Sequence, residues 1–166
     1  MYSSASEGPQ KNLATAIALE DEQQRCFREW SLKLKPYDAG LALILTLQAR
    51  EMESYRREML RHQLWKPEGS NPSVAGNATD AEHFFVLNAN GARALIGAAL
   101  ELAEEARHFY RYCQSQEPHG SLLSALYQNL CAFKDAHVQI LQEAMEHLSF
   151  PRRSAMPSDY VLAAAG

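Results

Sequence analysis

Cysteine is scarce in this chain: three in 166 residues, Cys26, Cys113 and Cys131, with no CxxC spacing. An odd number without paired spacing gives no disulfide framework and no zinc knuckle, and it fits reduced thiols in a reducing compartment. The three read as small buried fillers, because no basic pair stands beside them at a fixed spacing to make a thiolate. Long apolar runs are also missing. The longest, Leu41–Leu47, includes Thr46 and is far too short to span a bilayer. The opening MYSSASEGPQK lacks a charged segment followed by an apolar one, so no secretory signal is expected. There is no concentrated basic face either. The formal charge is −4, and the first basic group, Arg56-Arg57, is interleaved with Glu53 and Glu58 as on a solvated helix face. Gly-rich phosphate loops, a Gly-x-Ser-x-Gly elbow and His-Glu-x-x-His are absent as well. These absences lead to the expectation of a cytoplasmic protein with no nucleic-acid and no membrane partner.

What remains is ordinary globular material, 46% hydrophobic and 22% charged, long enough for one domain with a substantial core. Residues 1–10 are Ser/Gly/Pro-rich and are expected to form an irregular tail. Apolar Leu13, Ile17, Leu19, Phe27, Trp30 and Leu34 predict a helix from about Asn12 to Lys35, ended by Pro36. Tyr37-Asp38-Ala39-Gly40 turns into a second helix reaching about Gln63. Trp65–Asp80 has no helical period and reads as a connection. Asn88-Ala-Asn90-Gly91 can cap a third helix, about Ala92–Gln116. Glu117-Pro118-His119-Gly120 is a second tight turn, with Ser121 as N-cap of a fourth helix that Pro151 stops. The expected organisation is a tail over 1–10, a four-helix bundle over 11–150, and a tail over 151–166. Within the bundle, hairpin one is 11–64, a crossover is 65–90 and hairpin two is 91–150. Sixteen extended residues reach ~50 Å, more than the roughly 37 Å of such helices, so the connection can cross the whole bundle.

Two segments repeat at an offset of 82: Glu22-Gln-Gln-Arg25-Cys26-Phe27-Arg28-Glu29-Trp30 and Glu104-Glu-Ala-Arg107-His108-Phe109-Tyr110-Arg111-Tyr112. Internal similarity of this kind points to two hairpins facing one another. Heights agree. Counted from the turns, Glu22, Glu51, Glu104 and the stretch Lys134–His137 all lie about 21 Å or slightly more along their helices. Four helices thus present a polar residue at one level.

On these residues the chain resembles the ferritin-like superfamily, closest to rubrerythrin-type four-helix domains, over about residues 12–148. In that family helices one and three read Glu-x-x-x-x-Phe-Tyr, and helices two and four read Leu-x-x-x-Glu-x-x-His. Glu104 with Phe109-Tyr110 matches the third helix, and Glu22 with Phe27 matches the first without its Tyr. Leu47-x-x-x-Glu51-x-x-Ser54 has serine for histidine, and Leu130-x-x-x-Lys134-x-x-His137 has lysine for glutamate. The resemblance implies an all-α fold: a ferritin-like bundle of two antiparallel hairpins joined by a long crossover. It also implies a metal site of which Glu22, Glu51, Glu104 and His137 remain. Lys134 would replace metal charge among the carboxylates, since burying several carboxylates without a cation is very costly.

The expected function is therefore a structural or regulatory interaction module with a degraded, metal-free site, forming a homodimer or meeting another protein. The alternative is a rubrerythrin-like protein that binds iron or manganese at a residual two-metal or one-metal site and reduces oxygen or peroxide. Without CxxC pairs it would need an outside electron donor. Ser54, Tyr55 and Tyr110 are expected to line the site, and a Tyr110 hydroxyl facing it needs a partner there. A second register, set by Leu41, Ile44, Met52, Tyr55 and Met59, turns Tyr55 toward His137 and Glu51 partly away. Glu105/His108 reads as a surface pair. His62 and His147, beside Glu58 and Glu143, read as helix-terminal histidines favoured by the dipole.

Overall fold

The computed structural model describes residues 7–64 and 85–149. Four long helices account for almost all of them: α1 (Glu7–Leu34), α2 (Ala39–Leu64), α3 (Ala89–Gln116) and α4 (Leu122–Ser149), with no strand among the described residues. α1 begins at Glu7, inside the stretch expected to be irregular. Most of the expected crossover, residues 65–84, and the expected tail over 151–166 lie outside the described residues.

The helix ends follow local chemistry. Asp38 Oδ1 accepts from the amides of Gly40 and Leu41 at 2.9 and 3.1 Å, which caps α2. Asn88 caps α3 by accepting from Gly91 N–H at 2.8 Å, and Ser121 caps α4 through Ser124 N–H at 3.0 Å. The tight turn before α4 contains Gly120 at φ 79°, where a side chain would be strained.

α1 packs along α2 and α3 along α4, and the pairs meet where α1 lies on α3 and α2 on α4. Cross-contacts fix the directions. Val86 N–H donates to Lys33 O at 2.9 Å, so α3 starts beside the end of α1. The ring of Tyr55 lies on Phe133, while Leu41 and Ile44 face Ile140 and Ala144, so α2 runs antiparallel to α4. α2 therefore ends at one end of the bundle and α3 begins at the other.

The core falls into two apolar clusters. One gathers Phe27, Leu34, Leu45, Met52, Ile96 and Leu141 with their neighbours. The other gathers Leu13, Ala16, Met59, Cys113, Tyr127 and Leu130. Each fully buried large side chain here contributes roughly 1.5–3 kcal/mol. Ala99, Ala103 and Ala106 on the buried face of α3 leave room for larger polar side chains from α1. That room is taken by Glu20 and Gln23 of α1, which meet the buried Lys134 of α4 there.

Candidate functional site

The centre of the bundle is built around a lysine. Lys134 is wholly buried, a position a long cation occupies only when paired. Its Nζ lies 2.7 Å from Glu20 Oε1 and donates to Gln23 Oε1 at 2.8 Å. Tyr110 donates its hydroxyl to the same Glu20 Oε1 at 2.5 Å. Gln23 is oriented by its own Nε2, which donates to Leu102 O at 2.6 Å, so its carbonyl must face the ammonium. The Phe133 ring centroid stands 5.3 Å from Nζ, within cation–π range. Burial pushes the Lys134 pKa below its ordinary value, and the adjacent Glu20 carboxylate opposes that fall. Burial, and then the Glu20 carboxylate, push the Tyr110 phenol well up, so it remains a donor.

His137 lies one turn further along α4. Its Nε2 is 3.1 Å from Glu51 Oε2, and its ring lies on Phe133 at 4.0 Å. Burial first, and then the charge of Lys134, lower its pKa to about 3. The imidazole is thus neutral at pH 7, and the contact with Glu51 is a hydrogen bond donated by Nε2–H. Gln48 Nε2 donates to the His137 carbonyl at 3.4 Å. Among the described residues, Glu20 Oε2, Gln48 Oε1 and His137 Nδ1 are buried without a protein partner.

The candidates read from the sequence are only partly gathered here. Lys134, His137 and Tyr110 are in the centre, and Glu51 reaches it from an otherwise exposed position. Glu22 is exposed, Glu104 is half-buried, and Ser54 points to solvent. The Tyr55 ring packs on Phe133 at 4.2 Å rather than on His137, and Glu51 is the α2 residue that meets His137, so the second register considered for α2 is not reproduced there. Glu20 and Gln23 are the residues the sequence reading missed. The spacing Leu13, Ala16, Glu20, Gln23, Phe27 marks the buried face of α1, and it puts Glu20 rather than Glu22 inward.

The arrangement does not fit a carboxylate-bridged metal pair. Such a pair takes a Glu from each of two helices and Glu-x-x-His from each of the other two. Around Lys134 there is one carboxylate, one amide oxygen and one phenol. Among the described residues no group of three or more His, Cys, Asp or Glu side chains is placed to hold a metal ion. Outside the centre, Glu105 and His108 are both exposed. Glu143 and His147 line a cavity of about 330 Å³ between α2 and α4 with Leu41, Ile44 and Ile140. The cysteines are free, and burial pushes the Cys113 thiol up to about 11, which keeps it protonated and unreactive.

No family model, curated protein or solved structure matches this chain.

Proposed function

We propose that this protein is a ferritin-like bundle whose central carboxylate is neutralised by its own lysine, and that it acts as a structural or regulatory interaction module. The observation that carries the reading is the wholly buried Lys134 ammonium 2.7 Å from Glu20. A positive charge at that place opposes a nearby dication and supplies the neutralisation a metal would otherwise give. The ferritin-like topology, with one long crossover, is supported by helix direction: α2 ends and α3 begins at opposite ends of the bundle. The interaction role is supported by Leu43, Leu47 and Ile140, which stand exposed on α2 and α4, Ile140 at the cavity between these helices. A second copy of the chain is the partner proposed for this face.

Metal content by plasma mass spectrometry, after growth in medium supplemented with iron and manganese, tests the reading. The expected outcome is no stoichiometric metal. One or two ions per chain would overturn it and favour the oxygen- or peroxide-reducing alternative. Light scattering of the same preparation reads the oligomeric state, with a dimer expected for the native chain and a monomer for Leu47→Glu.

A further inference from the structure

We propose that the centre of the bundle is a chamber selective for a primary ammonium ion, and that Lys134 is its tethered occupant. The inference rests on the reading that a lysine takes the place of metal charge. It goes further in assigning the chamber its own ligand chemistry.

Charge comes first. Among the described residues, Glu20 is the only carboxylate in contact with Nζ, so the chamber balances one positive charge and leaves a dication half neutralised. Donor type points the same way. Nζ meets a carboxylate oxygen at 2.7 Å and an amide oxygen at 2.8 Å, both natural acceptors for N–H. The amide cannot present its nitrogen instead, because that nitrogen is engaged by Leu102 O. Tyr110 donates to Glu20, so its phenol strengthens the carboxylate's hold without adding a metal-binding anion. The Phe133 ring completes the enclosure at 5.3 Å, and an aromatic face attracts ammonium. Manganese or magnesium, by contrast, prefers six oxygen ligands with several anionic or water donors. The imidazole of His137 makes no hydrogen bond to Nζ: its Nε2 is held by Glu51 and its Nδ1 has no protein partner among the described residues.

The chamber also spans the two hairpins. Glu20 and Gln23 come from α1, Tyr110 from α3, and the ammonium and ring from α4. An ion seated there ties hairpin one to hairpin two, and an empty chamber leaves the Glu20 carboxylate buried without a counter-charge, held by the Tyr110 hydroxyl alone.

Lys134→Ala tests this by separating the ion from its tether. The shortened protein should lose roughly 10 °C in Tm, as expected for a buried carboxylate stripped of its partner in a chain of this size. Millimolar ethylammonium chloride should restore at least half of that loss. Tetramethylammonium, sodium and manganese chlorides at matched ionic strength should not, since none supplies an N–H donor. Glu20→Gln in the Lys134→Ala background should abolish the gain. If the variant does not fold alone, refolding from urea across the ethylammonium series gives the same reading through recovery of the helical circular dichroism. Recovery by amine supports the chamber. Equal recovery with tetramethylammonium or sodium, recovery by manganese alone, or no recovery with any amine overturns it. Failure here leaves the metal-content result standing, so the two readings fall separately.

Discussion

His137 is buried against Glu51 on one side and influenced by the Lys134 ammonium, and burial dominates its titration. Burial, and then the charge of Lys134, lower its pKa to about 3 against an ordinary value of 6.5. Below pH 6.5 the unfolded chain takes up a proton at this histidine while the folded chain does not. Stability is therefore lost as pH falls from about 6.5 toward 3, at a limiting slope of about 1.4 kcal/mol per unit. Urea denaturation of the native chain should lose about 2 kcal/mol between pH 7 and pH 5 from this residue alone. His137→Gln, which can still donate to Glu51, should flatten that limb while costing some stability at pH 7. If both proteins show the same acid slope, the neutral buried imidazole is not what sets it.

At the level of the elements, the four helices, the caps of α3 and α4 and the two turns were legible because each is written locally, while the start of α1 at Glu7 was not. Proline and glycine mark the turns, while Asn88 and Ser121 are side chains suited to helix starts and act as such. Tyr110 entered through the helix-three pattern, while Lys134, His137 and Glu51 were legible as residues of one level, because helical rise is regular enough to count heights from a turn. Rotation about a helix was not. Each residue turns a side chain by about 100°, so the two-residue step from Glu20 to Glu22 leads to nearly the opposite face. The repeat at an offset of 82 aligns Phe27 with Phe109, yet it is Tyr110 that matches Phe27 in full burial. Similarity of letters carried the alignment to the wrong face, whereas the small residues of α3 mark the buried face directly. Those alanines give a test of how closely α1 and α3 pack. Ala103→Leu, at a fully buried position, should cost about 1–3 kcal/mol through overpacking. Gly97→Ala, on the same helix with nothing within 4 Å of the added methyl, should instead gain roughly 0.5–1 kcal/mol from helix propensity. Chemical denaturation of the two variants decides it, and equal effects would mean that α3 is not seated against α1 as described.

In the molecule as a whole, the polar layer interrupts what would otherwise be one continuous apolar core. Two explanations of that interruption make opposite forecasts. If the layer is there for stability, removing it must weaken the bundle. If it is there to set one register between the hairpins, removing it leaves a stable but less singular structure, because buried ion pairs commonly break even or lose against well-packed apolar side chains. The α1–α3 and α2–α4 seams are narrower than those inside each hairpin, and side-chain polar contacts bridge both at mid-height: Glu20 and Gln23 on one side, Gln48 and Glu51 on the other. That placement favours register. A variant carrying Glu20→Leu, Gln23→Leu, Tyr110→Phe and Lys134→Met together should be as stable as the native chain, or more stable by about 1–4 kcal/mol. Its amide spectrum should show extra or broadened resonances for residues along the two narrow seams, while the seams within each hairpin stay sharp. A marked loss of stability would assign the layer to holding the fold together. A stable variant with a single sharp set of resonances would mean that apolar packing alone already chooses the register, and the chamber would then be kept for the ion it holds.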